Sequence, residues 1–234
     1  LAASNAQVRF LSNDGNEGAC VSRNKAIFSA RGEFITGLDD DDYFMPGRLC
    51  GFLREWKELS GVVGLYTDSF ISELNGQRVF SRPAEVRRRD LLVSNFIGNQ
   101  VFTRTEWLRE IGGFDPALPA WQDLDCWYRL LKDDQRKMMR VDVGRYVIDI
   151  SHPHERISGR SLGRLMQAYE RFVQVHALSW RERTILKSHF FNYQQRRFSL
   201  TELVLVALLS ARPRVVYWSL RAFAWQLRNS HKGS

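Results

Sequence analysis

A mixed α/β domain carrying a C-terminal helical extension is the fold class this sequence predicts, and three observations predict it. Short β-prone runs alternate with helical stretches as far as about residue 150, the order expected of a sheet flanked by helices. From Gly159 onward the pattern turns helical and stays so. Early in the first region, the acidic run Asp39-Asp40-Asp41-Asp42 follows directly on the apolar Phe34-Ile35-Thr36-Gly37-Leu38. That places carboxylates at the C-terminal end of a strand, where such sheets bind ligands.

In chain order, Glu17 to Ala30 has helical composition, with Gly18 near its start and Gly32 placed as a C-cap. The apolar run to Leu38 reads as a buried strand, and Pro46 as the N1 residue of a helix reaching about Leu59. Val62 to Tyr66 reads as another strand. Phe70 to Phe80 reads as a hairpin, since Asn75-Gly76 supplies type I′ turn residues between two short β-prone runs. A short helix near Arg89 to Val93 leads into a strand over Gln100 to Thr103. Thr105 to Ile111 is helical and stops at Gly112-Gly113. Asp123 to Leu131 is helical again, and Met138 to Ile150 holds one or two strands. Helices follow over Leu162 to Ala177, Arg181 to Tyr193, Leu200 to Leu209 and Val215 to Leu227. Residues 1–158 therefore read as the α/β domain and 159–234 as the extension.

Composition narrows the chemistry. With 44% hydrophobic and 26% charged residues, the 234-residue chain is a folded protein rather than a disordered one. Its three cysteines, Cys20, Cys50 and Cys126, are too few and too scattered for a disulfide framework or a zinc site. Reduced thiols in a cytosolic compartment follow. No signal peptide is visible, and the longest apolar run, Leu203 to Leu209, is far too short to span a bilayer. The net charge of +8 is carried wholly by the tail, where ten Lys or Arg and two Glu follow from Arg181 onward. A neutral body with a basic, apolar tail suggests that the body does chemistry and the tail meets an anionic surface. Asp39 and Asp41 can share one hard divalent cation together with phosphate oxygens of a substrate. An acidic surface turn is the plainer alternative, and the strand before and helix after weigh against it.

Three stretches, in order, resemble the family 2 glycosyltransferases, enzymes of the GT-A nucleotide-diphospho-sugar transferase fold, over roughly residues 8 to 160. The first is Asn16-Glu-Gly-Ala-Cys-Val-Ser-Arg-Asn24, similar to the family's N-x-G-x-x-x-A-R-N segment, with Ser22 where Ala is usual. The second is Leu38-Asp-Asp-Asp-Asp42 with Pro46 and Leu49. The third is Ile111-Gly-Gly-Phe-Asp115 followed by Trp121-Gln-Asp-Leu-Asp-Cys-Trp-Tyr-Arg129.

The resemblance implies a GT-A Rossmann-like mixed sheet and inverting transfer of a sugar from a nucleotide donor to an acceptor hydroxyl. Asp39 and Asp41 match the D-x-D pair, with Asp41 on Mn²⁺ or Mg²⁺ and Asp39 nearer the ribose and metal. Asp42 is either a further ligand or a cap for the helix at Pro46. Asp123 matches the catalytic base of the family's E-D or Q-D pair, with Gln122 where many members carry Glu. As the plainer reading Asp123 is an N-cap, and the two are compatible. Arg23 and Asn24 are implied donor-diphosphate contacts, against simple solvated positions on a helix. His154, with His152 nearby, fits a metal or diphosphate role, and Arg156-Ile-Ser158 resembles the family's closing element. Trp121, Gln122, Asp125 and Asn99 are the implied acceptor contacts. For Trp121 and its neighbour Trp127 a core position is the alternative.

Relative to the family, the opening strand-helix-strand that reads base and ribose is expected before Val8-Arg-Phe-Leu11, which matches a third strand. The chain is therefore expected to lack its first 45 to 60 residues. The partners implied are a nucleotide-diphospho-sugar, a saccharide or lipid-linked acceptor, and a membrane met peripherally at its inner, cytoplasmic face through the C-terminal helices. That role suits bacterial surface-polysaccharide or lipopolysaccharide synthesis. For the tail the alternative is a helical bundle packed on the domain. A nucleic-acid-binding protein is the rival class, since the pI near 9.7 permits it. It leaves the neutral body and the acidic run unexplained. A catalytically inactive, membrane-docking remnant is the other rival.

Overall fold

The computed structural model describes residues 7–56, 61–73, 76–150, 162–192 and 197–229. The chain runs through α1 (Ala19–Ser29), β1 (Phe34–Ile35), β2 (Tyr43–Phe44), α2 (Arg48–Glu55) and β3 (Val62–Tyr66). It continues through β4 (Ser69–Glu73), β5 (Gly76–Phe80), β6 (Glu85–Arg87), α3 (Arg88–Leu91), β7 (Thr103–Arg104) and α4 (Thr105–Glu110). Next come α5 (Gln122–Leu130), β8 (Lys137–Arg140) and β9 (Tyr146–Asp149). The helical part is α6 (Leu162–Val175), α7 (Trp180–Leu186) with a 3-10 turn over Lys187–Asn192, α8 (Leu200–Ser210) and α9 (Pro213–Asn229).

The continuous apolar run of β3 is buried at every position, as a strand covered on both faces must be. It pairs parallel with β8, which pairs antiparallel with β6. On its other edge the Leu65 N–H donates to the Phe102 carbonyl at 2.8 Å, and the Leu65 carbonyl accepts from the Phe102 N–H at 2.9 Å. The segment through Phe102 continues into β7, antiparallel to β1. A second sheet has the order β2-β9-β4-β5, with β4 parallel to β9 and the other pairs antiparallel. The expected hairpin over 70–80 is β4–β5.

One core cluster joins Tyr66, Val86, Leu91, Leu124, Trp127 and Met138 to Phe172, Leu178 and Leu186 from α6, α7 and the loop between them. The extension is thus packed on the α/β part and completes its core.

Several local expectations need correction. The strand expected through Leu38 ends at Ile35; it is only half-buried, and Leu38 is 49% exposed. There the chain leaves the sheet to pass over Gln100, so close that a Cβ on Gly37 would lie 2.2 Å from the Gln100 amide oxygen. Pro46 does not begin a helix. It lies against the backbone of Gly144, and the N-cap is Gly47 in the left-handed region, with Arg48 at N1. Asp42 accordingly caps nothing there. α1 closes at Ala30 rather than Gly32, and the strand expected at Gln100 to Thr103 is displaced to Thr103–Arg104. Val8 to Leu11 forms no strand, and Phe10 is 80% exposed. No neighbouring strand pairs with that segment among the described residues, and an unpaired strand leaves its backbone bonds unmade.

Candidate active site

Arg23 organises the site. It projects from α1, and its guanidinium donates to Asp39 Oδ1 at 2.8 Å while its other terminal nitrogen stands 3.7 Å from Asp123 Oδ1. The turn after β1 and the start of α5 are thereby held together. Asp39 also accepts from the Asn99 amide on Oδ2 at 2.9 Å and from the Gln100 amide on Oδ1 at 3.3 Å. Tyr146, the first residue of β9, accepts from the Asp39 backbone N–H at 3.3 Å and donates its hydroxyl proton to Asp42 Oδ2 at 2.6 Å. Asp42 Oδ1 accepts from the Asp149 N–H at 3.1 Å. Burial of Asp42 raises its carboxyl above the usual range against these hydrogen bonds. The Tyr146 ring is backed by Arg48, a residue 2% exposed whose guanidinium also stacks on Phe44 and Phe52 and donates to Thr67 and the Gly144 carbonyl. Asp40 and Asp41 form the exposed turn between the two anchored carboxylates.

Asp123 is the second residue of α5, so it does not cap the helix. Its Oδ1 is enclosed and makes no hydrogen bond. Burial pushes the carboxyl up to about 7; the Arg23 charge opposes the shift and the Asp39 charge adds to it. A carboxyl poised near neutrality and still partly exposed can take up a proton from a bound hydroxyl. The residue before the helix, Trp121, holds φ 62°, a left-handed value seldom taken by a bulky residue. Its ring is fixed among Tyr169, Phe172, His189 and Phe190 from the helical part.

The remaining expected residues separate clearly. Asn24 is turned to the backbone of Phe114. Its amide donates to the Phe114 carbonyl at 2.8 Å and accepts from the Phe114 N–H at 2.7 Å. Gly112 and Gly113, at φ 78° and 69°, make the turn that allows this, and a Cβ on Gly113 would lie 2.3 Å from the Asn24 carbonyl oxygen. Asp125 is turned into the protein. It is 1% exposed and paired with Arg129 at 2.6 Å and His176 at 2.8 Å. Gln122 donates back to the Leu118 carbonyl. Asn99 belongs to the Asp39 cluster rather than to a separate acceptor wall, and Trp127 is core, its indole donating to the Gly98 carbonyl. His152, His154, Arg156 and Ser158 lie outside the described residues. Tyr146 and Gln100 were not singled out by sequence. Gln100 follows directly on Asn99, which was, whereas Tyr146 stands in a run legible only as strand.

Among the described residues no three His, Cys, Asp or Glu side chains converge as a metal set. A magnesium-type cation needs only one or two carboxylates when substrate phosphates and water complete its shell. The exposed Asp41 beside Asp39 has the hard oxygen chemistry for that.

The overall architecture matches the crystal structure of S. aureus TarS 1-349 with a TM-score of 0.53, over 95% of this chain and 74% of that one, at 16% identity. The fold is of the GT-A class. Residues 1–112 match the family described as Glycosyl transferase family 2. The Escherichia coli (strain K12) protein named for colanic acid biosynthesis, the glycosyl transferase WcaA, is 33% identical over 215 residues, which is 88% of this chain and 74% of that protein. A Campylobacter jejuni protein named GalNAc(5)-diNAcBac-PP-undecaprenol beta-1,3-glucosyltransferase is 30% identical over 95 residues, covering 38% of this chain and 30% of its own length. The chain belongs to the family 2 glycosyltransferases.

Proposed function

We propose that this chain catalyses inverting, metal-dependent transfer of a hexose from a nucleotide-diphospho-sugar to an acceptor hydroxyl, in the assembly of a bacterial surface polysaccharide. The observation that carries this is Arg23, which holds the acidic turn and the enclosed Asp123 on one guanidinium. Asp39, kept in place by Arg23, Asn99 and Gln100, orients the donor's ribose and phosphate end. Asp41, with Asp39 and the His154 of the segment after β9, would hold Mn²⁺ or Mg²⁺. That cation, when bound, offsets the charge of the departing diphosphate. The Asp123 carboxylate removes the acceptor hydroxyl's proton as that oxygen bonds to the anomeric carbon from the face opposite the diphosphate. The bond to the diphosphate breaks with its electron pair leaving on the phosphate oxygen. Inversion follows from this single displacement.

The name of the Campylobacter relative points to a lipid-linked acceptor, and WcaA's to polysaccharide synthesis. A lipid-linked acceptor would bring this chain to the cytoplasmic face of the plasma membrane, met peripherally through the C-terminal helices. Among the described residues no helix is long and apolar enough to cross a membrane. The test is transfer from a panel of nucleotide sugars with Mn²⁺, comparing the parent with Asp123→Asn and Asp41→Ala and with chelator added. A loss of about 10² to 10⁴-fold is expected for Asp123→Asn, with activity lost on chelation and restored by Mn²⁺. Near-normal turnover in either variant would remove that residue from the mechanism.

A further inference from the structure

We propose that the α8–α9 hairpin is a docking surface for an anionic phospholipid membrane. α9 presents three stripes along its length. The inner one, with Val215 at 0% and Ser219 at 5% exposure, packs on the protein. It is anchored by Gln226, whose amide bonds both the N–H and the carbonyl of Phe198. The outer one exposes Val216 at 42%, Tyr217 at 60% and Leu220 at 63%. Between the outer stripe and the half-buried Trp218 and Trp225 run Arg214, Arg221 and Arg228, all exposed. Their seven-residue spacing sets them nearly on one line, since a straight helix drifts only about 20° per heptad. No acidic residue occurs from Arg212 to Arg228.

α8 packs against α9 and exposes an apolar face of its own, with Leu200 at 60%, Val204 at 47% and Leu208 at 70%. Its one carboxylate, Glu202, is engaged by Lys187 and by the Ser199 cap. Exposed apolar side chains on two adjoining helices mark an interaction surface. An arginine line between aliphatic and tryptophan stripes is the arrangement of helices lying in a membrane interface.

Charge decides the occupant. A second copy docked about a two-fold axis would present the arginine line to an identical, acid-free helix. Anionic headgroups supply the missing countercharge.

This deepens the reading of a membrane-borne acceptor, but its test does not pass through catalysis. The full chain is floated with vesicles of phosphatidylcholine alone or with added phosphatidylglycerol. Binding to the anionic vesicles only, weakened by salt, is expected. Arg214→Ser, Arg221→Ser and Arg228→Ser together should weaken it about a hundredfold, at roughly fivefold per arginine. Leu208→Ser with Leu220→Ser should weaken it as well, and Asp123→Asn should leave it unchanged. Circular dichroism and the melting midpoint confirm that each variant is folded; Arg221→Ser alone serves if the triple variant is not. Equal binding to both vesicle types, or full binding by the arginine variants, would overturn the proposal. So would a dimer in light scattering that the leucine variant dissolves, since the face would then belong to a second copy.

Discussion

A carboxyl held near neutrality should show itself in both rate and stability. Asp123 must be ionised to accept a proton, so transfer should rise as pH passes through about 7 and level off above it. The stability sign is opposite. Its folded value lies above the ordinary 3.8, so stability present at acid pH is lost as pH rises through about 7. Asp123→Asn removes that cost. The variant should be more stable than the parent at pH 8 by about 1–2 kcal/mol, a figure reduced for solvent screening, and no different at pH 4. Thermal melts at the two values check this. Asn24 offers the contrast. Asn24→Ala deletes both bonds to the Phe114 backbone and should cost about 2 kcal/mol of stability. The donor KM should stay near the parent's. A KM effect as large as that of Arg23→Ala would return Asn24 to the donor side.

At the scale of elements, α5 is the piece whose placement matters most, because its first turn carries Asp123, the proposed base. Its other face is tied down by Asp125, which Arg129 grips within the helix and His176, just past α6, grips from outside. The two partners hold the Asp125 carboxyl below the usual range despite its burial. His176→Ala leaves that buried carboxylate with Arg129 alone and should destabilise the fold by about 2–3 kcal/mol. Denaturant unfolding measures it. Because the contact is remote from the reacting atoms, residual activity at low temperature should show a parent-like pH profile. The acidic turn follows the same logic of anchored ends. Asp39 and Asp42 are fixed by neighbours while Asp41 stands out between them.

For the whole molecule, the helical part is structural before it is anything else. Phe172, Leu178 and Leu186 are 1%, 4% and 0% exposed in the same cluster as Tyr128 and Leu130. Ending the chain at residue 161 would strip these side chains from the core. Each such loss costs about 2–5 kcal/mol, and together they approach the 5–15 kcal/mol that typically holds a domain. The shortened chain should be insoluble or bind hydrophobic dyes when expressed. A soluble, cooperatively melting product would show the α/β part to be self-sufficient. Trp121 makes the same dependence local, since its left-handed backbone two residues before Asp123 is braced by rings of α6 and of the turn after α7.

Much of the fold was legible from local chemistry. The apolar run of β3, the Asn75-Gly76 hairpin, the Gly112-Gly113 stop and the helices after 159 are each written in adjacent residues. Asp39 and Asp41 stood out as carboxylates set between an apolar run and a helix start, and Asp123 through the resemblance of the stretch from Trp121 to Arg129. What local pattern does not carry is the direction in which a polar side chain turns. Asn24 sits beside Arg23 in sequence, yet one clamps a glycine turn and the other bridges two carboxylates. Asp125 and Asp123, two residues apart, face opposite sides of α5 and end as a buried ion pair and a carboxyl held near neutrality. Tyr146 joined the site only through pairing of β9 with β2 and β4. Adjacent residues carried most of the elements, because periodicity and turn chemistry act over a few residues, and three short motifs carried the family and its carboxylates. Which of those residues share the site was decided by tertiary packing, which alone brings position 23 against positions 39 and 123.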